Sequence, residues 1–344
     1  MGSPHGALKC AHNRNAAMKL NITPVLVVLI MSLSVPLTSQ AARPLGPPIE
    51  EFFNDRNRVA SGVVVEKLKT NAIEFRVDDY LHQSDDELVT LRVDADVFAE
   101  MEVGNSYVFV FSRMSKNRLF RDQWEVDVKG PSLVKARGLG TSAIYRHNAT
   151  TFALLTPPDL RDELSADAET AMLLELAEDK ADVRARELAI FELYLRPDLL
   201  TAMSGDNAQR YAAIAGAADT RLKNYLLEGA THFPEEYRAV WLEREWREAV
   251  ESYGTELDLN SYVPLLIINA LSGLRREGLV VDVDTIGKHL YSNAPGVAKA
   301  ALAYLDAIDR QQALARVQQV LASEDMHSST RRAFTAYVNQ NNGA

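Results

Sequence analysis

Cysteine is all but missing. Cys10 is the one thiol among 344 residues, and it lies ahead of an apolar run, so no disulfide framework and no cysteine-based metal site is available to the chain beyond it. The histidines past that run (His82, His147, His232, His289 and His327) have no second histidine or cysteine at zinc-ligand spacing. Neither a G-x-S-x-G elbow nor an H-E-x-x-H pair occurs. Basic charge is in deficit: 37 Lys and Arg against 47 Asp and Glu give −10, which opposes nonspecific binding to nucleic acid or to anionic lipid. The apolar run from Pro24 to Leu37 is shorter than the roughly 20 residues a bilayer span needs.

What is present begins with Met18 to Ala42, MKLNITPVLVVLIMSLSVPLTSQAA. Lys19 precedes the apolar run, and Ser39-Gln40-Ala41 puts small residues at the two positions a signal peptidase reads. This is the pattern of a signal peptide cut after Ala41. It predicts a secreted or periplasmic protein with no stable membrane insertion after cleavage; an uncleaved anchor is the alternative. Met18 competes with Met1 as the start, which makes 1–17 a candidate artefactual leader. Ala42 stands where a lipid-bearing cysteine would be. Lys9, Arg14 and Lys19 leave with the signal, so the exported chain is more acidic still. That favours solubility or a basic partner. The remaining length suits two domains and can bury a core without disulfides.

After a proline-rich lead-in (42–57), residues 58–135 alternate with a period near two. Strands are predicted at Val59–Leu68, with a bulge or bend at Gly62, at Ala72–Tyr80, Leu88–Val93 and Ser106–Phe111, and at Trp124–Val128. Ile49–Asn54 predicts a short helix. Strands this short and this evenly spaced indicate a small antiparallel barrel or sandwich. Residues 136–158 read as a linker. Residues 159–340 are rich in Ala and Leu with a helical period. Ala185, Leu188, Phe191 and Leu195 form one apolar stripe; Val297, Ala301, Tyr304 and Leu305 form another; Asp309 can cap the helix that follows.

The short helix at Glu50-Glu51-Phe52-Phe53, the strand Val59-Ala60-Ser61-Gly62-Val63-Val64, a strand pair with an acidic turn and the segment Glu102 to Phe111 resemble a netrin/TIMP-like domain over about a quarter of the chain. That resemblance implies an OB-type barrel of exported proteins. The family's inhibitors act through a disulfide-anchored terminus, which this chain lacks, and no functional residue is carried over. In the second half, Asp182-Val183-Arg184-Ala185-Arg186-Glu187-Leu188-Ala189 aligns with Gly296-Val297-Ala298-Lys299-Ala300-Ala301-Leu302-Ala303, and Thr330 to Phe334 offers a third copy. A period near 40 with paired helices resembles HEAT-type repeats, less well formed between 220 and 290, where Gly254, Gly273 and Gly278 fall. An ordinary helical bundle is the alternative. The repeat resemblance implies stacked helix pairs whose open surface binds extended segments or other domains.

Candidate sites are few. Gly138-Leu139-Gly140-Thr141-Ser142-Ala143 has the loose form of a dinucleotide loop, but no helical stripe follows it, and a linker explains it better. His289 with Asp282 and Asp284 reads as a surface helix end. Asp78, Asp79, Asp85, Asp86, Glu87, Asp94 and Asp96 crowd the strands without a complete calcium loop. Asn148-Ala149-Thr150 fits a glycosylation acceptor. Phe233, Tyr237 and Trp241 recur every four residues, with Trp246 beyond them, in an Arg- and Glu-rich segment. Aromatics beside arginines can anchor an interface, and core packing is the competing explanation. Tyr237, Trp241 and Trp246 are the candidate interface residues; no residue is assigned to catalysis, a cofactor or a metal. The expected architecture is α+β, a small OB-like barrel followed by a HEAT-like helical domain. The expected function is protein binding or scaffolding without catalysis. The alternative is an exported hydrolase, or a glycan- or protease-binding module, acting through the β domain.

Overall fold

The computed structural model describes residues 46–69, 71–81, 87–112, 131–157, 164–323 and 326–341. The signal-peptide segment, the Trp124–Val128 strand, His82, Asp85 and Asp86 lie outside the described residues.

Among the described residues, six strands, β1 (Asn57–Leu68), β2 (Ala72–Tyr80), β3 (Leu88–Arg92), β4 (Ser106–Ser112), β5 (Ser132–Leu133) and β6 (Ile144–Arg146), make one sheet. The order β1-β2-β3-β5-β4 returns to β1 through a β1–β4 pairing, which closes a five-stranded barrel; β6 adds to β4. β1 serves both neighbours by length. Residues 57–63 pair with β4 and residues 60–68 with β2, and the strand changes register at Ser61/Gly62. A side chain at Gly62 would come within 2.4 Å of the Arg76 carbonyl oxygen, so the bulge expected there admits glycine alone.

Alternation sends Ala60, Val64, Ile73, Phe75, Val89, Leu91, Phe109 and Phe111 into the barrel, with Val97 of α2 (Ala95–Glu100) packed beside them. The Phe75 and Phe109 rings lie 4.5 Å apart. The intervening residues of β4, Val108 and Val110, point outward, and with Val59 and Tyr145 they join the core of the helices. Burial on both faces explains why Tyr107 to Phe111 reads as an unbroken apolar run rather than an alternating one.

The stretch read as a linker needs correction. Residues 136–157 hold a tight turn, then β6 and α3 (Ala149–Leu154). The Val110 amide donates to Ala143 O and the Ala143 amide to Val134 O, so these backbone groups are tied into the barrel wall. Gly138 and Gly140 adopt φ of 84° and 72° in that turn, which accounts for both glycines without a nucleotide.

Ahead of the barrel lies α1 (Pro48–Phe52). After it come α4 (Ala166–Glu178), α5 (Val183–Leu195), α6 (Pro197–Thr201), α7 (Gly205–Ala217), α8 (Thr220–Gly229), α9 (Glu235–Glu251), α10 (Val263–Arg276), α11 (Val283–Lys288), α12 (Pro295–Ile308), α13 (Arg310–Leu321) and α14 (Ser328–Asn341). Local chemistry sets their starts. Ser165, Asp182, Ser204, Asp219, Asp282 and Asp309 each accept backbone amides of the first turn, and Pro197, Pro264 and Pro295 occupy first-turn positions where a missing N–H costs nothing.

Ten of these helices pair in order as α4/α5, α7/α8, α9/α10, α11/α12 and α13/α14. The first members touch along one layer: α4 meets α7, α7 meets α9, and α9 meets α11. The second members touch along another: α5 meets α8, α8 meets α10, α10 meets α12, and α12 meets α14. The segments that align in sequence, at Asp182 and Gly296, open α5 and α12, both second-layer helices. The region between 220 and 290 is regular in structure. Gly273 leaves the space that the Trp246 ring fills, because a Cβ there would lie 2.5 Å from the indole. Barrel and helices form one compact unit. No helix among the described residues is long and apolar enough to cross a membrane.

Candidate interaction site

The aromatics of α9 divide. Trp246 is buried against Gly273 and contributes to the core. Trp241 is half-buried beside Phe233 and Tyr211, at ring separations of 6.2 and 6.5 Å, and its indole N–H has no hydrogen-bond partner among the described residues. Tyr237 is partly buried, its ring 3.3 Å from where a Cβ on Gly205 would stand. The three therefore do not make one exposed patch. The neighbouring arginines are engaged: Arg247 with Glu243 one turn away, Arg244 with Glu245, and Arg238 with the Thr231 carbonyl and Glu277.

His289, Asp282, Asp284, Asp78, Asp94, Asp96 and Asn148 each hold a separate partner. His289 is buried, with Nε2 at 2.8 Å from the Val250 carbonyl. Asp282 caps α11 through the Thr285 amide, and Asp284 pairs with Arg316. Asp78 lies 3.7 Å from Arg76; Asp94 pairs with Lys135 at 3.0 Å and accepts from the Ser142 hydroxyl; Asp96 pairs with Arg184. Asn148 spends its side-chain oxygen on capping α3. No group of three His, Cys, Asp or Glu residues among those described comes together as a metal site.

Two clusters emerge that the sequence did not single out. The first is a polar seam where the barrel meets α5. Glu192, 1% exposed, accepts the Ile49 amide of α1 at 3.1 Å, with Arg196 at 3.9 Å. Burial pushes its carboxyl up to about 7, against the lowering pull of the Ile49 amide and Arg196. Asp182 caps α5 through the Ala185 amide and accepts the Arg146 amide of β6 at 2.6 Å; burial raises this carboxyl too. Tyr145 is fully buried, and its hydroxyl has no partner among the described residues. Burial, then the Asp182 and Glu192 carboxylates, push its phenol up. Outside the seam, Arg184 holds Asp96 and Glu100 of α2, and Arg137 holds Glu51 of α1 at 2.7 Å. These groups are spent on attaching one half of the protein to the other. A carboxylate amid the apolar residues 188–195 was the sequence sign of it.

The second cluster lies on the second helical layer. Phe191 and Tyr194 of α5 meet Tyr225 of α8, with ring separations of 5.2 Å (Phe191–Tyr225) and 5.1 Å (Tyr194–Tyr225). Tyr262 stands at the entry to α10. Burial, then Tyr262, raises the Tyr225 phenol, against the lowering pull of Arg221, which hydrogen-bonds it. Phe191 is buried, Tyr194 and Tyr225 are half-buried, and Tyr262 is 41% exposed. Leu259 and Leu265 are exposed nearby in sequence. Glu187 pairs with Arg221 at 3.5 Å, and Glu228 engages the Tyr194 hydroxyl and the Asn269 amide. Only the Phe191/Tyr194 pair shares a helix, so spacing in the sequence does not betray the contact with Tyr225.

Set against protein-family models, curated proteins and solved structures, the chain matches none. What the fold defines is a class by architecture: an α+β protein in which a closed five-stranded barrel is attached to layered helix pairs.

Proposed function

We propose that this is an exported protein, secreted or periplasmic, which binds another protein through the face of its helical stack and has no catalysis of its own. In this reading the barrel is OB-like and the stack HEAT-like. One observation carries it: each helix pair packs on the pairs before and after it, so neither layer closes on itself and the layers offer long continuous faces. Architecture of that kind presents surface rather than a pocket. Export rests on the Met18 to Ala42 pattern.

The test is capture from extracellular or periplasmic extract with the chain from Ala42 to Ala344 as bait, read by mass spectrometry. One reproducible protein, cross-linked to residues of the stack, is the expected result. Cross-links confined to the barrel, or no captured protein at all, would refute the reading.

A further inference from the structure

We propose that α1 is a pH-sensitive latch over the seam between barrel and helices, shut in mildly acidic surroundings and loosened as they approach neutrality. The buried Glu192 carboxyl is its catch. The inference does not rest on the protein-binding reading above.

Only five residues long, α1 lies against β1 and α5 and buries Ile49 and Phe52 in the common core. Beyond its own turn and β1, it has two polar ties among the described residues. Arg137 reaches Glu51 near the surface at 2.7 Å, and Glu192 accepts the Ile49 amide at 3.1 Å in the interior. That amide is the one hydrogen bond Glu192 receives among the described residues. The charged and titratable groups around the carboxyl are Arg196 on α5 itself, Glu169 on α4, Glu50 on α1 and the Tyr145 phenol on β6, on which Asp182 acts too. The cation among them is shared. Arg196 holds Asp198 of α6 through Nε at 3.1 Å and Nη2 at 2.9 Å, and Nη2 lies 3.5 Å from Glu169. Its Nη1 lies 3.9 Å from Glu192, outside hydrogen-bond range.

An ionised Glu192 is therefore a desolvated anion with one hydrogen bond, a shared cation and two carboxylates facing it, an arrangement that costs far more than the neutral acid. Water relieves the cost, and α1 is the smallest piece whose movement admits it. No strand pairing involves α1, so its displacement leaves the sheet intact. Short elements with few buried contacts open at the low end of the local-stability range. The closed form holds the proton more tightly, in keeping with a carboxyl pushed up to about 7 from an ordinary 4.5. Raising the pH across that window therefore favours the open form, with no further gain above it. Opening withdraws Ile49 and Phe52 and bares the apolar seam.

The experiment is backbone hydrogen exchange of the chain from Ala42 to Ala344 across a pH series, read by mass spectrometry as protection relative to the unstructured rate at each pH. A fragment covering 47–53 reports the latch, because Pro47 and Pro48 carry no amide and that of Ile49 is its first. Helix α13 serves as the reference. Protection over 49–53 should fall by up to about 70-fold from about pH 5 to about pH 8, nearly all of it by about pH 7, while α13 keeps its own. Glu192→Gln retains an acceptor for the Ile49 amide but cannot ionise, and should hold protection level across the series. Glu50→Gln, at an exposed position, removes one like charge and should make the fall level off at lower pH. Protection over 49–53 that ignores pH, a fall that α13 shares in full, or a fall that persists in folded Glu192→Gln would each overturn the proposal. If Glu192→Gln loses its circular dichroism spectrum, Glu50→Gln decides: an unshifted profile overturns the latch.

Discussion

At the barrel end of the stack, Asp182 caps α5 and at the same time accepts the Arg146 amide of β6. Near the other end, Asp309 caps α13 through the Gln311 and Gln312 amides, both in its own helix. The local chemistry is the same, yet one residue is buried and ties two halves together while the other serves a single turn. The difference shows how an ordinary helix-capping signal becomes an attachment point once a strand edge with unsatisfied amides is brought against it. Buried Glu192 repeats the lesson with the Ile49 amide, and none of these ties needs a disulfide.

The strongest way to break the comparison is to loosen the barrel and ask whether the helices notice. Phe109→Ala removes a ring packed at 4.5 Å on Phe75 and 5.9 Å from Phe111, and should cost about 3–5 kcal/mol. Because the outward residues of β4 belong to the helical core, urea unfolding followed by helical circular dichroism should shift by the same amount as near-ultraviolet signals. Two separate midpoints would mean that the attachment is weak.

A second test uses pH. The Glu192 carboxyl is higher in the folded state, about 7 against an ordinary 4.5, so the folded protein holds this proton more tightly. Its contribution is complete below about pH 4.5 and fades as pH rises to about 7, amounting to about 3 kcal/mol over that window. Glu192→Gln should flatten that slope in a series of denaturant titrations; an unchanged slope would assign the pH dependence elsewhere.

The two caps can then be compared directly. Asp182→Ala loses a cap and strands the Arg146 amide, for about 3 kcal/mol together. Asp309→Ala should cost about 1 kcal/mol. Equal losses would show that the β6 contact is energetically idle. Smallest is the effect of His289, whose imidazole burial pushes below its usual value, opposed by the Val250 carbonyl. The neutral form is the folded one, so its contribution is present above about pH 6.5 and is lost as pH falls. That sign is opposite to that of Glu192. His289→Gln should soften the acid side of the same titrations.

Strands that face water or the barrel on one side were legible. β2 was expected at Ala72–Tyr80 and is found there, because Ile73 and Phe75 alternate with polar neighbours. The helix start at Asp309 was equally plain. β5, β6 and α2 were not, since two to six residues carry no period. β6 was taken for linker because its glycine-rich approach looks like one until the turn is seen to close on Ala136 and Thr141. The α9 aromatics divide for a different reason. A period of four puts Phe233, Tyr237 and Trp241 on one face of a helix but does not say which face is covered. The aromatic cluster of Phe191, Tyr194 and Tyr225 joins two helices, and the contact between them leaves no periodicity to find.

β4 also determines how the molecule can be dissected. A cut anywhere between the barrel and α4 would strip the cover from Val59, Val108, Val110 and Tyr145 on one fragment and bare the facing helix residues on the other. Each piece would then carry a contiguous greasy patch into solution, the kind that drives self-association. Expressed separately, the halves are therefore expected to aggregate or to seek each other out. Supplied together as two unlinked chains, they should reassemble, which makes this seam a natural place to split the protein into complementing fragments.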